Sequence, residues 1–473
     1  MKRSKRILVL AAILAVACIA TYALSQYEEK QEQIQNTDAV LLEIAPDTVQ
    51  TLSWQYAEDG LGFHKGESNW LYDADEAFPV SEEKVNDILS HFESFRVAFI
   101  IEQVEDYSQY GLDEPECTIS FSTADASYEI KLGAFSKMDE QRYIDIGDGN
   151  VYLASEDPMD FLETKLSAMI LHDDTPSFDQ VTDLSFAGLE NYQISFVEDS
   201  TDSYHPDDIY FTEQDGQNLP LDTDTVENYL DAISALSLQD YATYNATEEE
   251  LETFGLNNPE LTVTINYTYT DEEDNELSDT CVIHIGQNPE ELNAANEAAA
   301  SGLATLPSVS KYVRIGDSPI VYELTDTNYD KLTAISYDEL RHQEVIWAEF
   351  DQVTQIDVSL EGNNHSITST LDEEAENADR VWFYGEQELD ISELQTALQA
   401  LTADSFTDET ADQKEEISLT VYLDNENFPQ VTIQLYRYDG SLCLAVVDGE
   451  SVSLVSRSAV MDLVEAVQTI VLN

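Results

Sequence analysis

One short pattern occurs three times along this chain, and its recurrence limits the folds that the chain can adopt. It reads Val-Gln-Thr-Leu-Ser-Trp at residues 49–54, Val-Thr-Asp-Leu-Ser-Phe at 181–186 and Val-Thr-Gln-Ile-Asp-Val at 353–358. Apolar and polar residues alternate in all three places, which predicts a β-strand with one buried face. Self-similarity within a chain indicates a repeated folding unit. We therefore expect three tandem copies of one unit, each opening with this strand.

An aromatic run and a helix pattern follow each opening strand. The aromatic runs are Asn69–Tyr72, Ile209–Phe211 and Val381–Tyr384. Each helix pattern begins after a residue type that caps helices well. Its apolar residues recur at spacings of three and four, so they share one face that we expect to pack on a sheet. The candidate caps are Ser81, Asp222 and Asp390, and the faces are Val85, Ile88, Leu89 and Phe92; Val226, Tyr229, Leu230 and Ile233; and Leu394, Leu398 and Leu401.

A Gly-Leu turn marks the first two copies. Tyr-Gly-Leu-Asp-Glu-Pro at 110–115 corresponds to Phe-Gly-Leu-Asn-Asn-Pro at 254–259, and Gly followed by Pro indicates a turn into a strand. Both copies continue with a strand, a second strand that ends in Gly133 or Gly286, and a hairpin. The Gly-Asp steps in these hairpins are typical of turns. Asp148 and Asp317 are therefore predicted to form turns rather than to bind a metal.

The second and third copies each depart from this plan. The third keeps strand patterns at 417–423, 431–437, 442–447 and 451–455 but lacks the Gly-Leu turn. The second has 25 residues between Gly286 and Tyr312, where the first has nine between Gly133 and Tyr143. This insertion, near 289–310, is rich in Ala and predicts a short helix with a loop, for which a tolerated surface insertion is the default interpretation.

The predicted fold class is α+β, because strand and helix patterns are segregated within each copy. We expect three tandem repeats of an antiparallel sheet with its packed helix. The predicted limits are 48–175 for the first unit, 176–345 for the second unit with its insertion, and 346–473 for the degenerate third unit. An N-terminal transmembrane helix is predicted to precede them.

The first 47 residues predict an anchor and a stalk. Met1–Arg6 is basic, and Ile7–Ser25 is a run of nineteen residues without a charge, close to the length that spans a hydrocarbon core about 30 Å thick. Basic residues before the run place the N-terminus in the cytoplasm and the C-terminal body outside it. We expect a single-pass signal anchor over 1–26 and a stalk over 27–47. Two alternatives remain open: cleavage of a signal peptide after Ala17 or Ala23, and a lipoprotein modified at Cys18.

The charge of the chain excludes one class of partner. It has 96 acidic and 20 basic residues, a formal net charge of −76, and no Lys or Arg from Leu166 to Ser310. Such a surface repels phosphate backbones, so we expect no nucleic-acid binding. The carboxylates are interpreted as a solvated face, with weak screening by divalent cations as the alternative. Cys117, Cys281 and Cys443 lie in strand patterns without metal-ligand spacing, so we expect buried free thiols.

The motifs together resemble a known bacterial family. The aromatic strand, the capped helix, the Tyr-Gly-Leu-Asp-x-Pro turn and the strand-Gly-hairpin are similar to those of the domain of unknown function 4340 family, over about Val49 to Leu340 and more weakly in the third copy. The resemblance implies a membrane-anchored, extracytoplasmic protein. It also implies a gene that lies beside those of ABC transporter permeases and a gliding-motility-type auxiliary protein. The family has no established catalytic residues, so the resemblance implies none here.

The residues themselves predict no catalytic, cofactor-binding or metal site. The chain lacks a G-x-S-x-G elbow, an H-E-x-x-H pair, a P-loop and a dinucleotide fingerprint. The densest acidic run, Asp271–Asp279, is predicted to be a hairpin tip, with calcium binding as the minor alternative. We therefore expect a non-enzymatic accessory or scaffold protein of an ABC-type transport or envelope complex. The alternative is a cell-envelope module that binds glycans or peptides through exposed Tyr and Trp.

Overall fold

The structure is a computed structural model of the 473-residue chain. It describes Thr21 and residues 34–56, 59–102, 104–271, 273–303, 305–371 and 380–472. No helix in those ranges combines the length and apolar character that crossing a membrane requires. Apart from Thr21, the predicted anchor at 1–26 lies outside the described residues, and so does Cys18.

Within the described residues the strands form three sheets of nine strands each. The first contains β1 Ile34–Leu42, β2 Val49–Tyr56, β3 Asp59–Lys65, β4 Trp70–Tyr72, β5 Phe95–Ile101, β6 Cys117–Thr123, β7 Ser127–Ser136, β8 Gln141–Asp145 and β9 Val151–Ala154. The second contains β10 Gln180–Gly188, β11 Tyr192–Phe196, β12 Tyr210–Gln214, β13 Gln217–Pro220, β14 Tyr241–Thr243, β15 Leu261–Thr270, β16 Glu276–Gln287, β17 Lys311–Ile315 and β18 Val321–Leu324. The third contains β19 Val353–Leu360, β20 Asn363–Leu371, β21 Arg380–Tyr384, β22 Gln387–Leu389, β23 Ala403–Phe406, β24 Glu415–Leu423, β25 Gln430–Arg437, β26 Leu442–Val447 and β27 Glu450–Ser456.

Helices of varied length connect and cover these strands. The α-helices of the described ranges are α1 Glu82–Ser90, α2 Met159–Leu162, α3 Thr223–Ser234, α4 Glu248–Thr253, α5 Pro289–Ala300, α6 Asp326–Thr333, α7 Tyr337–Leu340, α8 Ser392–Gln399 and α9 Arg457–Leu472. Short 3-10 turns lie at Pro46–Thr48, Ser108–Tyr110 and Leu166–Met169. The predicted α+β class with repeated antiparallel sheets is confirmed.

The three sheets share one strand order. The orders are β4-β3-β2-β6-β7-β8-β9-β5-β1, β13-β12-β11-β10-β15-β16-β17-β18-β14 and β22-β21-β20-β19-β24-β25-β26-β27-β23. Eight successive strands correspond throughout. The ninth strand differs. In the second and third sheets it is β13 or β22, next to the aromatic strand, whereas in the first sheet it is β1, at the opposite edge. The repeat recognised in the sequence is thus a repeat of topology.

The chain separates into two compact units. The first comprises residues up to Asp173 with Leu238–Ala246 and Pro319–Tyr322, and the second comprises Asp174–Ser237, Thr247–Ser318 and the chain from Glu323 onward. The second unit therefore holds the whole third sheet and most of the second. The limits predicted for three separate repeats stay predictions.

Each opening strand lies inside its sheet and is paired on both sides. In the first sheet, Leu52 of β2 lies between Phe63 of β3 and Phe121 of β6. Leu184 takes the same place in the second sheet and Ile356 in the third. All of these side chains are almost completely buried. The alternating sequence pattern thus places a row of apolar side chains across adjacent strands on the core face.

The repeated helices bury the predicted apolar faces. Val85, Leu89 and Phe92 are at most 1% exposed, and the corresponding residues of α3 and α8 are buried too. Ser81 and Asp222 cap α1 and α3 as predicted, by accepting from the backbone N–H three residues on.

One helix cap, four strands and one helix differ from the sequence expectations. Asp390 was predicted to be the N-cap of α8, but Ile391 takes that position. The Asp390 carboxylate accepts a hydrogen bond from the N–H of Ser392 at 2.9 Å. Residues 34–42, assigned to a stalk, form β1 and pair with β5. The strand after each helix (β5, β14 and β23) had not been predicted, and neither had α9.

The Gly-Leu turn packs directly against the strand that ends in Gly. Gly111 and Gly255 have left-handed backbones, with φ of +69° and +70°. A Cβ added to Gly133 would lie 2.3 Å from the carbonyl oxygen of Tyr110, and one added to Gly286 would lie 2.7 Å from that of Gly255. The motif glycines therefore permit a backbone-to-backbone contact that no other residue allows.

We expect the Gly133→Ala substitution to destabilise the first unit by about 1–3 kcal/mol, because the added methyl group overlaps backbone atoms that cannot rotate away. Gly440→Ala is the matched control, since its Cβ would meet no atom within 4 Å; we expect a change within about 0.5 kcal/mol. Chemical denaturation of the full chain measures both. Equal stability of the two variants would contradict the close packing of this turn.

Candidate functional site

A cavity of about 460 Å³ lies in the second unit, between the segment before β12, the start of α3 and the connector that leads to the third sheet. We name it the joint cavity. Its lining combines imidazole, carboxylate and aromatic groups: His205, Asp207, Asp208, Asp222, Thr223, Asp224, His342, Glu344, Ile346, Trp347, Ala348, Glu349, Phe350 and Gln399.

Asp208 is the most deeply buried charged group of this cavity. Its side chain is 1% exposed. The hydroxyl of Ser203 donates to Oδ2 at 2.5 Å, and Nε2 of His342 lies 2.9 Å from Oδ1. Since an ionised carboxylate only accepts hydrogen bonds, Nε2 of His342 is the donor. Burial of a carboxylate is costly unless it is hydrogen-bonded, and these two bonds satisfy both oxygens.

An aromatic stack continues from the same histidine. The rings of His342 and Trp347 are parallel within 8° and 4.5 Å apart, and Tyr204 stacks on Trp347 at 4.8 Å. Phe428 meets Tyr204 edge-on at 5.9 Å. Tyr204 precedes β12 of the second sheet, yet its side chain belongs to the hydrophobic core of the third sheet. Burial raises the pKa of Tyr204 well above its ordinary value. The segment around Tyr204 thus fastens the second sheet to the third.

This arrangement is a structural joint more than a catalytic centre. In a nucleophilic triad, the base lies between the nucleophile and the carboxylate. Here the carboxylate of Asp208 lies between Ser203 and His342, so the order of the groups differs from that of a triad and the imidazole does not contact the hydroxyl. Asp222 is occupied as well, because it accepts from the N–H and the hydroxyl of Thr225. Within the described ranges, no group of three or more His, Cys, Asp or Glu is placed to hold a metal ion.

The acidic residues singled out in the sequence form turns where the structure describes them. Asp148 accepts from the N–H of Asn150 at 3.0 Å and from the hydroxyl of Tyr152 at 2.5 Å. Asp271 begins the tip between β15 and β16 and accepts from the N–H of Asn275 at 2.8 Å. Hydrogen bonds, chiefly from the Asn275 side chain, lower the pKa of Asp271. The hairpin prediction is confirmed, but its tip is shorter than expected, because residues 276–279 of the acidic run already belong to β16 and pair with β15.

The cysteines of the described strands are buried free thiols, as predicted. Burial raises the pKa of Cys117, Cys281 and Cys443 to about 11 each. A thiol with such a pKa is almost entirely protonated at neutral pH, and the thiolate is the reactive form. These residues therefore act as small apolar side chains.

Trp70 and Trp382 were weighed both as docking contacts and, as the favoured interpretation, as core residues, and the structure buries both of them. Trp70 is 2% exposed and Trp382 is 6% exposed. Both lie in the aromatic strand of their sheet, where the alternation of side chains turns them toward the packed helix. The favoured interpretation is therefore confirmed: both tryptophans fill a core, where large aromatic side chains contribute most.

The joint cavity was missed in the sequence, although one signal for it exists. The connector before the second sheet contains His172 followed by Phe-Asp-Gln-Val at 178–181, and the connector before the third sheet contains His342 followed by Phe-Asp-Gln-Val at 350–353. This shared pattern marks the connectors as parts of the repeat. No sequence pattern marks Asp208, because its partner His342 lies 134 residues further along the chain.

The fold defines a class of protein in which one sheet topology is repeated in tandem. A structured connector joins the second sheet to the third. The sequence model of one family, described as "Domain of unknown function (DUF4340)", matches residues 70–259 and again residues 212–420. Together the matches span more than half of the 473 residues, so the chain belongs to this family. A search of curated proteins and a search of solved structures found no match.

The family matches are offset from the sheets. Each begins in an aromatic strand, at Trp70 of β4 or Thr212 of β12. The first ends just before β15 and the second within β24. Each matched region therefore covers the later strands of one sheet, the connector that follows, and the early strands of the next sheet. The second match also extends into the third copy, where only a weak resemblance had been expected.

We expect Tyr204→Ala to destabilise the second unit by about 3–5 kcal/mol, because it empties an aromatic site in a packed core. The matched control is Tyr438→Ala, since Tyr438 is a surface residue that donates to Glu409; a loss below about 1 kcal/mol is expected there. Thermal unfolding and limited proteolysis of the full chain compare the two. Equal losses would show that the Tyr204 segment does not fasten the third sheet.

Proposed function

We propose that the protein is a membrane-anchored accessory or scaffold protein whose body lies outside the cytoplasm and docks on an ABC-type permease complex. The observation that carries the proposal is the threefold use of one sheet topology. Tandem repeats offer an extended surface with recurring features, which suits binding along a partner. The basic residues at 1–6 and the uncharged run that follows support the anchor and its orientation.

The insertion of the second sheet is the proposed docking element. Its helix α5 is capped by Asn288, whose side chain accepts from the N–H groups of Glu290 and Glu291. The insertion is closed at its base, because Ser310 donates its N–H to Glu291 at 2.7 Å and accepts from the N–H of Asn288 at 3.0 Å. The insertion is therefore a folded projection rather than a loose connection.

Two apolar side chains project from this insertion. Leu303 is 61% exposed and Leu306 is 51% exposed. A single exposed leucine is ordinary, but two within four residues, on a segment that the first copy lacks, offer a compact apolar contact. Apolar residues ringed by polar surface are typical of protein-interaction sites.

The charge of the body supports a particular kind of contact. With a net charge of −76, the body attracts basic surfaces over distances comparable to the Debye length, about 8 Å at physiological ionic strength. We propose basic extracytoplasmic loops on the partner, with weak screening of the remaining carboxylates by divalent cations. The second candidate function is a glycan- or peptide-binding module. Polar cavities on the exposed faces of two sheets favour it.

We expect the double substitution Leu303→Asp and Leu306→Asp to reduce recovery of the partner at least tenfold when the full chain is crosslinked and purified from native membranes. The matched control is Leu189→Asp, since Leu189 is 47% exposed in the turn between β10 and β11. All three proteins should melt at the same temperature, because none of these leucines is in the core. Consistent absence of permease and ATPase, with glycan retained instead, would favour the second candidate.

A further inference from the structure

The third sheet has a cavity of about 430 Å³ on the face opposite its helices. We name it the open-face cavity. Side chains from β19, β20, β24 and β25 line it, and most of them bear hydroxyl or carboxamide groups. The polar members are Gln355, Asp357, Ser359, Asn364, His365, Ser366, Ser418, Thr420, Thr432 and Gln434.

The register of the strands explains this composition. Asp357 lies opposite Thr420 on one side and Ser366 on the other, so all three face away from the core. Thr420 lies opposite Thr432 on the next strand. Because side chains alternate between the two faces of a sheet, the polar positions of four neighbouring strands converge on the open face.

The charge of the cavity differs from that of the protein. Asp357 is the one carboxylate among its lining residues, and the lining contains no Lys or Arg. The amide of Gln355 donates to Asp357 at 2.7 Å, and the negative charge of Asp357 raises the pKa of the nearby Tyr422 hydroxyl. The hydroxyl and carboxamide groups of the lining are uncharged and can both donate and accept hydrogen bonds. A neutral ligand with many hydroxyl groups complements this lining better than an anion or a metal ion does.

Two tyrosines lie beyond the ends of the polar row. Tyr422 pairs with Gln355 and Gln430 and follows Thr420 on the same face. Tyr436 follows Gln434 on β25 and lies opposite Glu415. Both rings are partly exposed. An aromatic ring with one accessible face can stack on an apolar face of a ligand while polar neighbours bind its edge.

The same position of the first sheet has a similar cavity of about 380 Å³. Ser53 of the opening strand lies opposite Ser120 of β6, as Asp357 lies opposite Thr420 of β24 in the third sheet. Ser53 therefore corresponds to Asp357, and Ser120 corresponds to Thr420. Glycines at 60 and 62 line the first cavity where the third sheet has Asn364 and Ser366. A polar cavity at this position is therefore a feature that recurs in the repeat.

The geometry points to a neutral carbohydrate as the ligand of the open-face cavity in the third sheet, with Tyr422 stacking against a sugar ring and Thr420, Thr432 and Gln434 binding its hydroxyl groups. A peptide fits this position less well. Peptides that add to a sheet need an unpaired strand edge, and β24 and β25 are both paired on each side. The inference rests on the second candidate function, for which it names the site and the ligand class, and it does not require a permease.

Affinity electrophoresis of the purified full chain tests this inference. The gels contain soluble neutral polysaccharides of different linkage (hydroxyethyl cellulose, xylan, galactomannan or soluble starch), with anionic polygalacturonate for comparison. We expect at least one neutral polysaccharide to retard the chain and polygalacturonate not to. Tyr422→Ala should weaken that binding at least tenfold, and Tyr438→Ala, just after β25, should leave it unchanged.

Gln434→Ala provides a second variant, because it removes hydrogen-bonding groups from the cavity and leaves the core intact. Melting temperatures and far-ultraviolet circular dichroism show whether each variant is folded. The inference is overturned if no neutral polysaccharide retards the native chain. It is overturned equally if polygalacturonate binds as well as the neutral polymers, or if the folded Tyr422→Ala and Gln434→Ala variants bind like the native chain.

Discussion

Each sheet is held together by a short strand near the start of its repeat that forms backbone hydrogen bonds along both edges. β2, β10 and β19 join an aromatic hairpin on one side to a meander of later strands on the other. Their buried side chains, such as Leu52 and Ile356, continue the apolar row across both neighbours. The helix covers the same face, so the core of each sheet depends on this strand. The open face is left polar, and the cavities arise there.

The differences among the copies follow from pairs of residues that change together. Ile433 pairs with Leu419 in the third sheet, and Ile130 pairs with Ile119 at the equivalent place in the first. Counting three residues on from each, Tyr436 occupies the position of Gly133 in the first copy and of Gly286 in the second. The third copy has also lost the Gly-Leu turn that packs against those glycines. Once the turn is absent, a large side chain fits, and Tyr436 then borders the open-face cavity. A backbone-to-backbone contact in two repeats has thus been replaced by a partly exposed aromatic side chain in the third.

Local patterns predicted most of the repeated core, because alternation and helical spacing reflect burial at neighbouring positions. The opening strands, the faces of α1 and α3, and the hairpin tip at Asp271 were all found in this way. Elements that depend on distant partners were missed: β14 is three residues long and pairs through β18, and Asp208 meets His342 only in the folded chain. The burial of Trp70 and Trp382 was already the favoured interpretation, because large aromatic side chains dominate core burial.

Hydrogen–deuterium exchange of backbone amides in the full chain tests most directly whether one topology is used three times. Amides paired deep within a sheet exchange only through large openings, whereas those at edges exchange through local fraying. We predict that β2, β10 and β19 are among the most protected segments of their sheets, and that the edge strands β4, β13 and β22 exchange much faster. Opening strands that exchange as fast as these edges in any of the three sheets would contradict the repeated fold.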